Sequence, residues 1–378
     1  MQAADALRIH VASSADPDPW SAVEELRAQR LAAGLPPTPR AALFFCDGLY
    51  PLQDLADALS SRFDCPLTGC ISGSQIGPQG FRPGGISLLS LDGDGLDMRI
   101  HLIEPILDPG PAVQRITAEL AAWPPAAGRR QFGLLLVDGL HQGEERLAHA
   151  LYHGLGDVPF IGGSASDDMR FEHTPVYFGG RFRSNVAVFA VFETAHAFLP
   201  FRVQNFQPRV GRLVITEADP ERRLVIQING LPAAEAYAEA LGLPESALEA
   251  RVLEAHPLLV RVGQEHVVRA IQRVTRSRAL LCMSAVDAGV VAAVGDAQPP
   301  LAALERSFEE VRQRLGAPAL VLGCDCTLRR RQAARDNQLD AVGELLAAQR
   351  VFGFSTHGEQ YNGMHINQSF TAIAVSAR

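Results

Sequence analysis

Four side chains capable of acid–base or nucleophilic chemistry lie close together near the C-terminus. The segment GFSTHGEQYNGMHINQSF contains Ser355, His357, Glu359 and His365. A serine, a histidine and a carboxylate are the parts of a hydrolase triad. In many such enzymes the serine lies in a strained turn with the sequence Gly-x-Ser-x-Gly, because the two glycines allow the backbone to adopt that turn. Here the second glycine, Gly358, comes one residue late, so the spacing does not favour a serine hydrolase.

Two other groups contain residues that commonly bind metal ions. Zinc sites favour Cys-x-x-Cys, a spacing that the Cys-x-Cys of this chain does not have. The second group lies on a predicted helix, where residues four apart share one face. A helix face exposed to water explains these residues more simply than a metal site does. The first group is Cys324 and Cys326 with His357 and His365, and the second is Glu145, His149 and His153.

The composition excludes several function classes. Of 378 residues, 47 % are apolar and 20 % are charged, and the net charge is −8. A negative chain does not favour nucleic acid or an anionic membrane as a partner. All 34 basic residues are arginine. The absence of lysine excludes Schiff-base enzymes and P-loop nucleotide hydrolases.

Nothing in the sequence indicates export or membrane insertion. No apolar run approaches the roughly 18 residues of a membrane-spanning helix. The N-terminus lacks the basic start and apolar core of a secretion signal. The six cysteines are expected to be reduced thiols. We therefore expect a cytoplasmic protein.

A pattern of strand, helix and second strand occurs three times. In two copies an apolar run ends in Asp-Gly-Leu, at Asp47 and Asp138, and a stretch with helical spacing follows. Each then has a short second run that reaches small hydroxyl residues, after Gly69 and Gly162. A looser third copy begins at residues 319–326 and ends in the C-terminal segment described above.

These repeated units predict an α/β protein with layered domains and mixed sheets. Apolar runs at 185–192 and 370–375 add further strands, some of them antiparallel. After residue 212 the pattern of apolar residues changes, and it predicts two strands followed by two helical stretches. We expect a lead-in at residues 1–39 and two α/β domains at residues 40–222 and 223–378.

Five motifs spread over about residues 40 to 375 occur together in one known family. They are Asp138-Gly-Leu, VPFIGGSASDD at 158–168, Thr174-Pro-Val, Gly323-Cys-Asp-Cys-x-x-Arg329, and the segment 353–375. In combination they resemble the FIST proteins, which are prokaryotic intracellular sensory modules with N-terminal and C-terminal parts. The resemblance implies a non-enzymatic protein that binds a small ligand, such as an amino-acid-like metabolite.

The segments around GCDC and GFSTHGEQYNGMHINQ also resemble a proteobacterial FIST subgroup that binds haem and senses nitric oxide. That resemblance implies non-covalent haem b, since Cys-x-x-Cys-His is absent, with His365 as the candidate iron ligand. Two differences from the relatives bear on the ligand: the first implies a site that prefers a different ligand, and the second opposes haem. Gln75 stands where many relatives carry glutamate, and Arg181 follows Gly180 where haem-sensing relatives carry histidine.

We expect the ligand where the Gly-x-Ser/Thr loops converge, held by a few oriented hydrogen bonds inside an otherwise apolar pocket. These 378 residues include no kinase or cyclase segment. The output is therefore expected to pass through a histidine kinase or a cyclic-di-GMP synthase or phosphodiesterase. A hydrolase or transferase using Ser355 or Cys324 is the alternative. The expected ligand-binding residues are Cys70, Gly163, Asp167, Cys324, Thr356, His357, Glu359 and Asn367.

Overall fold

Three similar α/β units build most of the chain in the computed structural model, which describes residues 7–93 and 95–377. Each unit contains a central pair of parallel strands, and antiparallel strands flank the pair. A short hairpin follows the second parallel strand of every unit. A β-rich domain is inserted into the third unit.

The first unit shows why its strands form. Every residue of AALFFC at 41–46 is buried, as expected for a strand covered on both faces. The following helix buries only one stripe, so it covers one face of the sheet. The elements are β1 (Arg8–Ser14), α1 (Pro19–Ala32), β2 (Ala41–Cys46), α2 (Leu52–Arg62), β3 (Leu67–Ile71), β4 (Gln75–Gly77), β5 (Gly80–Arg82) and β6 (Ile86–Asp92).

The second unit repeats this order. Its elements are β7 (Leu96–Ile103), α3 (Gly110–Ala121), β8 (Arg130–Val137), α4 (Glu144–Gly154), β9 (Phe160–Ser164), β10 (Val176–Phe178), β11 (Arg181–Arg183) and β12 (Ala187–Thr194). The strand order is β1-β6-β2-β3 in the first unit and β7-β12-β8-β9 in the second. The two units therefore share one topology.

The third unit begins with β13 (Phe198–Gln204) and is then interrupted by the inserted domain, residues 206–297. That domain is an antiparallel sheet with two helices and its own apolar core. Its elements are β14 (Phe206–Pro208), β15 (Leu213–Asp219), β16 (Leu224–Ile228), β17 (Leu231–Pro232), α5 (Ala233–Leu241), α6 (Ala250–Ala255), β18 (Leu258–Val262), β19 (Glu265–Arg269), β20 (Ile271–Val274), β21 (Leu280–Cys282) and β22 (Val291–Ala297).

After the insertion the third unit resumes with the same topology, β13-β27-β23-β24. It contains two helices that the sequence pattern did not predict, α7 and α8. The elements are α7 (Pro300–Leu315), β23 (Pro318–Cys326), α8 (Thr327–Arg335), α9 (Leu339–Ala348), β24 (Val351–Thr356), β25 (Glu359–Tyr361), β26 (Met364–Ile366) and β27 (Ser369–Ser376).

The three units are joined by a cyclic exchange of hairpins. The β10–β11 hairpin of the second unit extends the sheet of the first by pairing with β3. The β25–β26 hairpin of the third unit pairs with β9 of the second. The β4–β5 hairpin of the first unit pairs with β24 of the third. Each sheet is therefore completed by its neighbour.

The predicted fold class is confirmed, because the chain is α/β with mixed sheets built from repeated strand–helix–strand units. The predicted domain boundary at residue 222 lies in the turn between β15 and β16. No helix in the described ranges is both long and apolar enough to span a membrane.

Candidate ligand site

Serine residues at the three strand ends tie the units together at one junction. The Ser355 N–H donates to the Ser74 carbonyl oxygen at 2.8 Å. The Ser72 and Ser166 hydroxyls both donate to the Ser355 carbonyl oxygen, at 2.9 Å and 2.5 Å. All four side chains are buried. The end of β24 therefore meets the loops after β3 and β9 in the interior of the molecule.

A buried carboxyl group lies beside this junction. The Thr356 hydroxyl donates to one oxygen of Glu359 at 2.5 Å, and the Ser369 N–H and hydroxyl donate to the other at 3.0 Å and 2.7 Å. Burial raises the pKa of Glu359 to about 8, although the hydrogen bonds from Thr356 and Ser369 oppose the rise. Glu359 is thus part of a hydrogen-bonded polar cluster inside the core.

Two other predicted residues pack directly against this cluster. A Cβ built at Gly163 would lie 2.4 Å from Thr356 Cγ2 and 3.2 Å from Cys324 Cβ. The structure therefore brings Gly163, Cys324, Thr356 and Glu359 together, with no space between them for a side chain at position 163. Cys70 is also fully buried, on β3 in the core of the first unit.

Asp167 and His357 form a second group. His357 Nε2 lies 3.3 Å from Asp167 Oδ1, and the Phe171 ring packs on the imidazole with centroids 4.8 Å apart. The Asp167 carboxylate also accepts the N–H groups of Phe171, Glu172 and His173. Burial opposes ionisation, but His357 and these donors hold the pKa of Asp167 well below its usual range. Asp167 therefore closes the loop 167–173.

Asn367 lies at the contact with the inserted domain. Its Oδ1 accepts the Ser284 hydroxyl at 2.7 Å and the Ala270 N–H at 3.3 Å. Its Nδ2 is buried and has no hydrogen-bond partner in the described part of the chain. The predicted residues thus fall into separate groups around the junction. That they line a ligand site stays a prediction.

His365 was the predicted iron ligand, and its surroundings are tightly packed. Its side chain is buried, and burial lowers the pKa of the imidazole. Gln360 Nε2 lies 3.1 Å from His365 Nδ1, and a Cβ built at Gly358 would lie 3.0 Å from His365 Nε2. Nδ1 of His365 therefore contacts the Gln360 amide, and Nε2 lies against Gly358. In this arrangement the site does not fit a haem ligand.

The other metal candidates are separated as well. His149 and His153 are exposed on α4, with ring centroids 4.3 Å apart. Glu145 instead binds an arginine of the inserted domain, described below. Within residues 7–93 and 95–377, no three or more His, Cys, Asp or Glu side chains are placed to hold a metal ion.

Neither candidate nucleophile is activated by its neighbours. The Ser355 hydroxyl is buried without a hydrogen-bond partner among the described residues, whereas a serine nucleophile needs a base within hydrogen-bond reach. Burial raises the pKa of the Cys324 thiol well above its usual range, and the nearby Glu359 adds to the rise. The reactive thiolate form is therefore disfavoured.

A cleft of about 490 Å³ opens between the second unit and the inserted domain. It lies outside the carboxyl end of β8, where open α/β sheets place their ligands. Its volume lies within the usual range for small-molecule pockets. The lining residues are Leu107, His141, Gln142, Glu145 and Arg146 of the second unit, and Pro220, Glu221, Arg223 and Ala285 of the inserted domain.

A hydrogen-bonded chain leads from this cleft into the core. Arg223 Nη2 donates to Glu145 at 2.8 Å and to Glu144 at 2.6 Å. The Ser164 hydroxyl donates to the other oxygen of Glu144 at 3.3 Å, and Gln360 Nε2 donates to Ser164 Oγ at 3.2 Å. The same Gln360 amide reaches the predicted residue His365. The cleft wall is therefore linked to the strand β25.

Sequence reasoning missed the cleft, although one motif led to its edge. The Asp138 of Asp-Gly-Leu accepts the Thr174 hydroxyl at 2.5 Å and the Asn185 N–H at 2.8 Å, and so anchors the loop after β8. Glu144 and Glu145 resemble ordinary first-turn acids of a helix. Their partner Arg223 lies in a different domain, so no local pattern could have paired them.

Comparison with known proteins identifies domain families over most of the sequence. The FIST N domain matches residues 40–231, and the FIST C domain matches residues 233–362. No curated protein gives a significant match.

Solved structures give only a distant similarity. A cyanuric acid hydrolase from A. caulinodans is 12 % identical with a TM-score of 0.35, covering 98 % of this chain and 99 % of that chain. Another cyanuric acid hydrolase structure is 11 % identical with a TM-score of 0.32, covering 98 % and 100 %. These TM-scores are too low to support an inference about activity.

Proposed function

The chain belongs to the FIST family, because FIST N and FIST C domains together span most of it, and from this premise we propose that it is a non-enzymatic sensory protein. FIST domains indicate a role in sensing small ligands. In our proposal the ligand occupies the cleft between the second unit and the inserted domain. The occupied cleft then alters a signalling partner.

The observation that supports this proposal is that two separately packed bodies share one charged cleft. One wall belongs to the second unit and the other to the inserted domain, which has its own core. A ligand that contacts both walls would favour one relative position of the two bodies over others. Such a difference in affinity between positions is what a sensor requires.

The charges in the cleft match a zwitterionic metabolite of the amino-acid class. Glu221 offers a carboxylate acceptor to an ammonium group, and Arg146 offers guanidinium donors to a carboxylate. Glu145 and Arg223 line the same cleft but bind each other. Arg146 and Glu221 pair only at the exposed rim, at 2.9 Å. Exposed pairs are weak, so a ligand can replace this one at small cost.

We infer that the output passes through a partner protein, such as a histidine kinase or a cyclic-di-GMP synthase or phosphodiesterase. The buried Ser355 hydroxyl and the Cys324 thiol lack the neighbours that would activate a nucleophile. This supports a binding role over the hydrolase or transferase alternative.

A thermal-shift screen of the protein amino acids and related metabolites tests this proposal. A ligand should raise the melting temperature, and the stabilisation should grow as RT ln(1 + [L]/Kd). Arg146→Ala should weaken binding about tenfold or more, by loss of a charged donor. The matched control Arg306→Ala removes an exposed arginine of α7 and should leave binding unchanged.

Two outcomes would contradict the proposal. One is a screen without any stabilising metabolite, or a ligand whose effect survives Arg146→Ala. The other is a strong Soret absorption after addition of haem that shifts with nitric oxide and is lost in His365→Ala. The second outcome would replace a metabolite with haem as the sensed cofactor.

A further inference from the structure

The strand β1 forms an open edge of its sheet, and one contact shows which of its backbone groups face outward. Among the strands of the described residues, β1 pairs with β6 alone. On its other side the Ser13 N–H donates to Gln29 Oε1 at 3.1 Å, and Gln29 Nε2 donates to the Ser13 carbonyl at 2.8 Å. Backbone groups of alternate residues point to the same side of a strand. Val11 and Ile9 therefore also direct their N–H and C=O groups outward.

Gln29 mimics a neighbouring strand at Ser13, but no side chain does so further along. Among the described residues, no hydrogen bond beyond the pairing with β6 is made by the backbone of Ile9 or Val11. An exposed row of such groups is a template for another strand. This part of the edge thus lacks the cover that Gln29 provides at Ser13.

An apolar groove of about 490 Å³ runs beside this uncovered edge. A smaller pocket of about 150 Å³ continues it past Val11 to Ser13. The main groove is lined by Ile9, Val11, Pro78, Leu320, Ala347 and Val351, together with Arg350. Outward backbone and adjacent apolar space are the two requirements for recognition of an extended peptide.

Arg350 adds a charge preference. Its side chain is exposed and forms no hydrogen bond or ion pair within the described chain. A carboxylate on the bound segment would meet this guanidinium. A second copy of β1, with the sequence RIHVASS, has no carboxylate to offer. The charge therefore favours a different polypeptide over self-association.

We propose that the β1 edge is a docking site for an extended segment of a partner protein. The segment adds a strand at Ile9 and Val11, places apolar side chains of alternate residues in the groove, and carries an acidic residue beside Arg350. This site does not depend on the ligand of the cleft, so the two proposals stand or fall separately.

The second unit supplies a matched comparison. In its edge strand β7, Arg115 Nη2 donates to the Leu102 carbonyl, so Ile100 also directs its backbone outward. The groove there is smaller, about 300 Å³, and the aromatic residues Tyr177 and Phe178 form part of its lining. Ile100→Pro thus repeats the chemical change of Val11→Pro at an equivalent edge.

The test is a selection of random peptides displayed on phage against the full-length protein, followed by fluorescence anisotropy with the enriched peptides. We expect enrichment of sequences that alternate apolar residues and contain Asp or Glu. Val11→Pro removes one outward N–H that β6 does not use, and should weaken binding about tenfold or more. Arg350→Glu should act in the same direction, whereas Ile100→Pro should have no effect.

Circular dichroism melts of the two proline variants show whether each still folds. If Val11→Pro does not fold, Ile9→Lys takes its place, because a charge on an edge strand blocks strand addition. The proposal is overturned if no peptide is enriched, or if enriched peptides bind the β1-edge variants as tightly as the unchanged protein. A dimer in sedimentation velocity that Val11→Pro dissociates would also overturn it, in favour of a second copy.

Discussion

Glu359 is the residue whose chemistry differs most between sequence and structure. In the sequence it stands two residues from His357, in the polar segment near the C-terminus. In the structure its side chain is 0 % exposed and its carboxyl oxygens accept hydrogen bonds from Thr356 and Ser369. Burial raises its pKa from the usual 4.5 to about 8, since the charged form has lost its water.

This shifted pKa predicts a pH-dependent stability. Between about pH 4.5 and 8 the folded protein holds a proton on Glu359 that the unfolded chain has released. Stability should therefore fall as the pH rises through this window, by an amount on the order of a few kcal/mol. Glu359→Gln keeps the shape without the charge and should flatten that slope. Urea unfolding at pH 5 and pH 8 measures the effect.

The control for this prediction is Glu305→Gln, which replaces an exposed glutamate of α7. It should show the same pH dependence as the unchanged protein. If Glu359→Gln also keeps the full slope, the buried carboxyl is not its source.

At the scale of elements, β9 shows how closely the units pack. Its register places Gly163 opposite Glu359 of β25, a strand from another unit. No side chain fits there, because a Cβ would lie 2.4 Å from Thr356 Cγ2 and 2.8 Å from the Phe354 ring. Glycine is thus required at this position, because the Cβ of any other residue would collide with β24 of the third unit.

Gly163→Ala should therefore destabilise the protein by about 1–3 kcal/mol, the usual cost of overpacking a well-filled core. Gly110→Ala is the matched control, because the nearest atom to its added Cβ is Asp108 Oδ1 at 3.8 Å. Alanine in this first turn of α3 should be neutral or slightly stabilising. Equilibrium urea unfolding compares the two. Equal stabilities for the variants would contradict the packing that we describe.

At the scale of the whole molecule, a few charges hold the inserted domain against the second unit. Arg223 binds Glu144 and Glu145, and its Nη1 donates to the Met283 carbonyl at 2.8 Å. The Ala285 N–H donates to Glu145 at 2.8 Å. Arg223 and Glu144 are both buried. Their pairing therefore decides how the two bodies meet and shapes the cleft.

Arg223→Met should cost about 3–5 kcal/mol, because it leaves the buried Glu144 carboxylate without its cation. The double variant Arg223→Met with Glu144→Gln should recover a large part of that loss, since no buried charge remains unpaired. Thermal unfolding of the single and double variants measures both effects. A double variant that is less stable than Arg223→Met would show that the pair is not coupled as described.

Much of the local structure was predictable from the sequence. Apolar runs such as 41–46 and helical spacing such as that of α2 depend on neighbours a few residues apart, so they determined the strands, the helices and their repetition. The helix α8 was missed because its run of arginines shows no apolar stripe. Its Arg329 is nevertheless buried, bound to Asp325 at 2.9 Å.

The candidate site was predictable only in part. The glycine and hydroxyl residues after each strand marked the junction, because tight turns at strand ends need small residues. The sequence did not show which polar groups meet at the junction. Their hydrogen bonds join residues that are far apart in the sequence, such as Ser72 and Ser355. The cleft wall depended on Glu144 and Arg223, which lie in separate domains.

The amino-acid sequence by itself thus determined the α/β class and the three repeated units, since these follow from periodicity and motif spacing, and its combined motifs resemble the family that the domain matches show. Only the tertiary structure decided the exchange of hairpins, the buried state of Glu359 and the cleft beside the inserted domain. The physical reason is distance along the chain. Strand and helix patterns act within a few residues, whereas burial and ion pairing depend on which distant segments pack together.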